Sequence, residues 1–313
     1  MARLIAAFGS SHSPMLASRV EDWQGGFLSR DQARQFVDLD GNECNYRELL
    51  AKAPADSMQR IAPEHLARRH GEAMAAMARL RDDVATAKLD ALIVVGDDQE
   101  ELFHHDNMPA IGIYYGNTIR GRLPYQKEVQ EADYSCHAAL ARHLIAALQQ
   151  DGFDLSAMRA LAEGQHEGHA YSFVHRFYLT NNSVPIVPVF LNAYYPPNQP
   201  SPARCIALGE ALRRAVDAFP QDLRIGVMAS GGLSHFVVDE AFDLAVIDAL
   251  RRKDAAFFRT APLTKLMSGS SEIRNWICLA GAAEPLDLAW ASYVPGYRTP
   301  ALSGTGLCFA SLR

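Results

Sequence analysis

"LIVVGDDQEELFHHDNMPA", Leu92 to Ala110, decides how the rest of the chain is read. Four apolar residues run into a glycine, and two aspartates, a glutamine and paired histidines follow within ten positions. A short apolar run bounded by a turn residue is the pattern of a buried strand, and the polar cluster is what that strand presents at its end. Open α/β sheets bind ligands outside the carboxyl ends of their strands. The tip "GDDQ" is therefore a candidate site, and the question is why Gln99, rather than a histidine, follows the aspartates.

Working outward, "RLIAAFGSSHS" predicts a strand over Leu4 to Phe8 and then a Gly-Ser turn carrying His12. "VPIVPVFLNA" (184–193) and "LRIGVMASGG" (223–232) read as further strands. The spacing of Leu66, Met74, Met77, Leu80 and Val84 predicts an amphipathic helix from Pro63 to about Ala87. Other helices are expected at 133–150, 202–219, 239–259 and 272–282. Strands alternating with helices imply the α/β class: one domain over 1–313 with a central mixed sheet flanked by helices and its active site at the strand C-terminal ends. Residues 18–60 look irregular apart from a helical piece around Tyr46 to Lys52. A long segment of that kind in a compact domain is usually functional, and its aromatic residues make it a lid over a site.

Bulk properties exclude several classes. The 313 residues are 49% hydrophobic and 21% charged, which suits a globular core. A net charge of -6 argues against nucleic acid or an anionic membrane as partner. No apolar run approaches a membrane span, and the N-terminus has no charged-then-apolar signal pattern. The five cysteines are scattered, odd in number and without a CxxC pair. Reduced thiols and a cytoplasmic location are expected.

Polar residues gather at predicted strand ends: "GSSHSPM" with His12, "GDDQ", and "SGGLSHF" with His235. The loop "EGQHEGHAYSF" adds His166 and His169. Singly, a histidine in a turn is more often an exposed or capping residue, and His65, His70, His137 and His143 on predicted helices read as surface or core-edge residues. "GSSHS" lacks the G-x-S-x-G elbow of a nucleophilic serine, and no phosphate-binding P-loop is present. Glu272, in "SGSSEIRNWICLAGA", fits the first turn of a helix, where the dipole favours an acid. With His12 and another strand-end ligand it would also complete a two-histidine, one-carboxylate set, which leaves open positions on non-haem Fe(II). Several histidine loops converging on one sheet edge favour the second reading.

These motifs carry a family likeness. The chain resembles the class III extradiol ring-cleavage dioxygenases, of the protocatechuate 4,5-dioxygenase catalytic-subunit type, through "GSSHSPML", "DNMPAIGI", "EGHAYSF", "CIALGEALRRAVDAFP", "MASGGLSHF" and "SEIRNWICLAGA". Within them it is most similar to the 3-O-methylgallate 3,4-dioxygenase branch. The resemblance implies Fe(II) held by His12 and Glu272, with His235 as acid/base and His169 positioning substrate and assisting proton transfer. Where the family pattern has "NDH", with its histidine as second iron ligand, this chain has Asp97-Asp98-Gln99, in unbroken register with Pro109. Gln99 is thus the expected third ligand, with Asp98, His104 and His105 as alternatives. A neutral amide oxygen is a harder, weaker donor than imidazole.

The implied reaction is extradiol cleavage of a catechol- or gallate-type ring with O2, in aromatic catabolism. The partners would be a small aromatic diol and O2, with no nucleic acid or membrane, in a homo-oligomer expected to be a dimer. No segment resembles the small helical subunit that covers the site in protocatechuate 4,5-dioxygenase, so residues 18–60 would take that role. Tyr125, Tyr171, Tyr297 and Arg298 are candidates for holding a ring substituent, with ordinary packing the competing reading. Two other classes stand against the oxygenase: a non-redox metal-binding or interaction protein on the same fold, and a zinc-dependent hydrolase.

Overall fold

The apolar centre of the opening stretch is a strand, Ala91–Asp97, buried at all seven positions. In a computed structural model, residues 1–122, 131–179 and 183–313 are described. In chain order they begin with β1 (Arg3–Ser10), α1 (Val20–Gln24), α2 (Gly26–Gln32), β2 (Gln35–Val37), β3 (Glu43–Asn45), α3 (Tyr46–Ala51), α4 (Ser57–Arg60), α5 (Pro63–Thr86) and β4 (Ala91–Asp97). There follow β5 (Ile111–Tyr114), β6 (Thr118–Arg122), β7 (Glu131–Ser135), α6 (Ala138–Gln150), β8 (Ser156–Met158), α7 (His169–Phe177), β9 (Ile186–Leu191) and α8 (Pro202–Asp217). The last are β10 (Arg224–Ser230), β11 (His235–Val237), α9 (Glu240–Arg252), α10 (Ala255–Arg259), α11 (Ile273–Ala282), β12 (Leu288–Tyr297) and β13 (Ser303–Leu312).

Among the described residues nine strands form one mixed sheet, ordered β11-β13-β1-β10-β4-β9-β5-β8, with β12 also on β13. Its centre, β1, β10, β4 and β9, is parallel. Parallel strands are covered on both faces, which is why these four read as continuous apolar runs. One face packs on α6, α8 and α11 around Leu144, Leu212 and Ile277; the other packs on α5 and α7 around Leu80, Phe173 and Phe8. The α8–α11 contact requires close backbone approach, since a Cβ on Gly209 would run into the Cys278 carbonyl.

Three expectations change. Residues 18–60 are built of short helices and a β2–β3 hairpin, anchored by the buried Trp23, Phe27 and Phe36. The helix expected at 133–150 begins only at Ala138, because His137 caps it through Nδ1 and the residues before it pair as β7. The helix expected at 239–259 breaks in two at Lys253, a left-handed residue, and Asp254 caps the second piece. No helix among the described residues is long and apolar enough to cross a membrane.

Gly209→Ala should therefore destabilise the chain by about 1–3 kcal/mol, the usual cost of overpacking, seen as a lower urea midpoint at unchanged slope. Gly71→Ala, at an exposed α5 position with nothing within 4 Å, should instead be neutral or stabilising by about 0.5–1 kcal/mol.

Candidate metal centre

The parallel strands β1, β4 and β10 end side by side, and each hands its last residues to the same place. His12 follows β1, Asp97 ends β4, and Ser230 ends β10. From the helices, His169 opens α7 and Glu272 immediately precedes α11. One ligand atom from each of His12, Asp97, His169 and Glu272 lies within 4.8 Å of all the others.

The hydrogen bonds decide how each group faces that point. Ser230 Oγ donates to the Ala170 carbonyl at 2.7 Å, so toward His12 Nδ1, at 3.1 Å, it can only accept. His12 Nδ1 therefore donates to Ser230, and Nε2 faces the cluster, 3.2 Å from Glu272 Oε2 and 3.2 Å from His169 Nε2. Glu272 Oε2 also accepts the Gly232 N–H at 2.8 Å, and Oε1 lies 3.0 Å from His235 Nε2. Burial would raise the Glu272 carboxyl, but the imidazoles of His235 and His12 outweigh it and hold the group well below the usual range. Asp97 goes the other way: burial, then the charge of Glu272, raises it.

His169 is gripped by a residue the sequence reading did not single out. Glu101 accepts both the His169 backbone N–H at 2.9 Å and ring Nδ1 at 2.6 Å. Burial would lower the imidazole, yet Glu101 carries it to about 10. A carboxylate behind a histidine is also the arrangement that orients metal-binding imidazoles. His235 sits on a loop tied down twice. Its N–H donates to Ser270 Oγ at 2.9 Å, and Ser234 beside it donates to the buried Asp243 through both N–H and hydroxyl, at 2.8 and 2.6 Å. The ring places Nδ1 2.8 Å from the Leu233 carbonyl. Burial works against its protonated form, and Glu272 raises its pKa nonetheless.

Gln99 reaches the centre, its amide 3.3 Å from Glu272 Oε1 and 3.4 Å from Asp97 Oδ2. The alternatives around it do not. Asp98 turns back to accept the N–H groups of Leu102 and Phe103, while His104 and His105 are exposed and His105 pairs with Glu100. Among the substituent candidates, Arg298 faces the cavity in front of the cluster. Tyr171 donates to the Val189 carbonyl inside the core, Tyr297 bonds Glu240, and Tyr125 lies outside the described residues. His166 pairs with Glu131 away from the centre.

The cavity holds about 310 Å³ and is bounded by His12, Gln99, His169, His235 and Glu272 on one side and Phe27 on another. Two imidazoles and two carboxylates suit a divalent metal that accepts nitrogen and oxygen donors. The donor set fits a metal centre with a substrate-sized space before it.

Residues 58–304 match the family described as the catalytic LigB subunit of aromatic ring-opening dioxygenase. Over 159 residues the chain is 32% identical to a gallate dioxygenase of Pseudomonas putida, covering 46% of this chain and 45% of that one. Over 160 residues it is 28% identical to a 2,3-dihydroxyphenylpropionate/2,3-dihydroxicinnamic acid 1,2-dioxygenase of Comamonas testosteroni, covering 51% of this chain and 47% of that one. The chain thus spans about half the length of these curated relatives. An uncharacterized Escherichia coli K12 protein of known structure superposes with a TM-score of 0.47 at 14% identity, over 76% of this chain and 92% of that one.

In chelator-treated protein, Glu101→Gln should lower the His169 pKa from about 10 toward 6.5, followed by NMR titration of the ring. A raised histidine pKa contributes stability that is complete below its unfolded value and lost as pH rises through the folded one. Above the carboxylate range, the Tm gap between parent and variant should be widest near pH 6 and close on passing about pH 10.

Proposed function

Because the chain belongs to the family of catalytic LigB subunits of aromatic ring-opening dioxygenases, we propose that it cleaves a catechol- or gallate-type diol beside its hydroxyls, with O2 and Fe(II). The observation that carries this reading is the convergence of His12, Glu272 and His235 at one end of the parallel strands, facing a cavity of aromatic size. The resemblance to the 3-O-methylgallate branch favours a gallate-like ring, and it brings with it a homodimer and a cytoplasmic setting.

His12 and Glu272 would hold the iron, with Gln99 as the third donor and Asp97 close enough to assist. Bound there, Fe(II) would supply Lewis acidity toward the diol oxygens and the redox chemistry that O2 requires. The protein's own groups do the rest. With the charge of Glu272 committed to a cation, His235 Nε2 is released to take a proton from a diol hydroxyl, while Leu233 keeps the ring in orientation. His169, charged through Glu101, offers a proton from the opposite side. Residues 18–60 act as the cover: Phe27, Arg30 and Arg34 wall the cavity, and Asp31 is locked to Arg298.

Loading the chain with Fe(II) under nitrogen, then adding oxygen with gallate, 3-O-methylgallate or protocatechuate, should give one O2 consumed per ring opened. Full iron occupancy without oxygen uptake on any diol sinks the proposal, as does zinc-supported turnover that needs no oxygen.

The roles separate by variant. His12→Ala and Glu272→Ala should empty the site by elemental analysis. Gln99→Ala should loosen iron, and Gln99→His should tighten it, since imidazole is the better donor. His235→Gln should keep its iron while turnover falls by about two to four orders of magnitude. Turnover within a few-fold of the parent at every pH would remove His235 from the proton transfer.

A further inference from the structure

The cavity in front of the metal centre is also lined by arginines. Arg30, Arg34 and Arg298 all line the cavity. Arg298 is committed: it donates two bonds of 2.8 Å to the buried Asp31, which also accepts Ser303 Oγ at 2.5 Å. That leaves the other two. Among the described residues, neither Arg30 nor Arg34 has an ion pair or a side-chain hydrogen bond, and Arg34 is half-buried. Its guanidinium lies 3.4 Å from the centre of the Phe236 ring, and Arg30 lies 5.4 Å from that of Phe27. Burial, with Arg298 and Arg30 adding to it, pulls the Arg34 pKa down despite Tyr194 and Asp31. A guanidinium taken partly out of water beside two like charges is missing an anion.

The cavity therefore has two poles. Glu272, Gln99 and the imidazoles form one; Arg34 and Arg30 form the other. Phe236, the neighbour of His235 with ring centres 5.4 Å apart and Arg34 over its ring, links them. Resting on the ring-opening function above, we propose that Arg34, seconded by Arg30, binds a carboxylate on the aromatic substrate while the hydroxyls face Glu272 and His12. The substrate class is then an aromatic diol acid, not a neutral catechol. Planar guanidinium and carboxylate match as a two-bond fork, which fixes the ring's orientation as well as its affinity. Arg30 and Arg34 precede the segment that matches the family, residues 58–304. The proposed selectivity thus comes from the covering segment rather than from the matched portion of the chain.

The test is calorimetric titration of the full chain under nitrogen, with and without Fe(II), using 3,4-dihydroxybenzoate, its uncharged amide and acetate. The parent should prefer the acid. Arg34→Gln should weaken acid binding by about 10- to 100-fold, the span of a charge-assisted hydrogen bond, and leave the amide little changed, which also reports an intact fold. Arg34→Lys should keep part of the preference, and Arg30→Gln should lose a smaller part. Equal or undetectable binding of acid and amide by the parent overturns the proposal. So does a preference that survives in Arg34→Gln, or acetate binding as tightly as the aromatic acid. Loss of the preference in Arg34→Gln without oxygen uptake on any diol would leave the anion subsite standing and remove the ring-opening function.

Discussion

Two carboxylates buried within reach of each other, Asp97 and Glu272, are the constraint on which this structure turns. An isolated charge in a protein interior costs far more than a fold of this size can spare, so each needs partners. Glu272 takes them from His12, His235 and the Gly232 N–H, and Asp97 from Asn275 at 3.2 Å and from Gln99. Those partners sit on strand ends and helix starts far apart in sequence. The parallel core has to bring them together in register before the charges can be tolerated. A divalent cation at the same point would turn mutual repulsion between the acids into shared attraction.

Around this centre the protein distributes protonation by geometry. His12 is held with Nδ1 on Ser230, whose own proton goes to a backbone carbonyl, and with Nε2 turned to the centre. His169 is kept cationic by Glu101. His235 stands between these cases, since its charge depends on Glu272. Three similar side chains thus stand in three different electrostatic settings. Behind His235, burial pushes Asp243 up to about 6 against the hydrogen bonds of Ser234, and Tyr293 adds a third bond at 2.8 Å. That network holds the loop rather than taking part in chemistry.

The α2 segment is tied to the sheet. The Asp31–Arg298 pair is buried, bidentate and reinforced by Ser303, and it joins α2 to the turn between β12 and β13. Breaking such a pair strands a charge in the interior. Phe27 and Phe236 therefore stay in place as flat surfaces on either side of the arginines. The position of α2 sets this end of the cavity, and the ends of the strands set the other.

The sequence by itself determined the layered fold and pointed to several residues that gather at the centre, because both rest on local signals. Continuous apolar runs such as Leu92–Val95 mark parallel strands, and their ends mark the sheet edge where His12, Gln99 and His235 meet. Glu272 was legible as an acid at a helix start, and the motif order around it matched a known family. Only the tertiary structure decided what depends on partners distant in sequence. Asp97 and Asp98 are neighbours of the same type, yet one enters the centre and the other turns back to Leu102, since successive side chains leave a strand in opposite directions. Glu101 looked like one more loop acid until α7 brought His169 against it across 68 positions. Arg34 and Arg298 are indistinguishable as letters; one met Asp31 and the other did not. Periodicity records which face a residue shares with its neighbours, but a charge acquires its function from whatever the fold places opposite it.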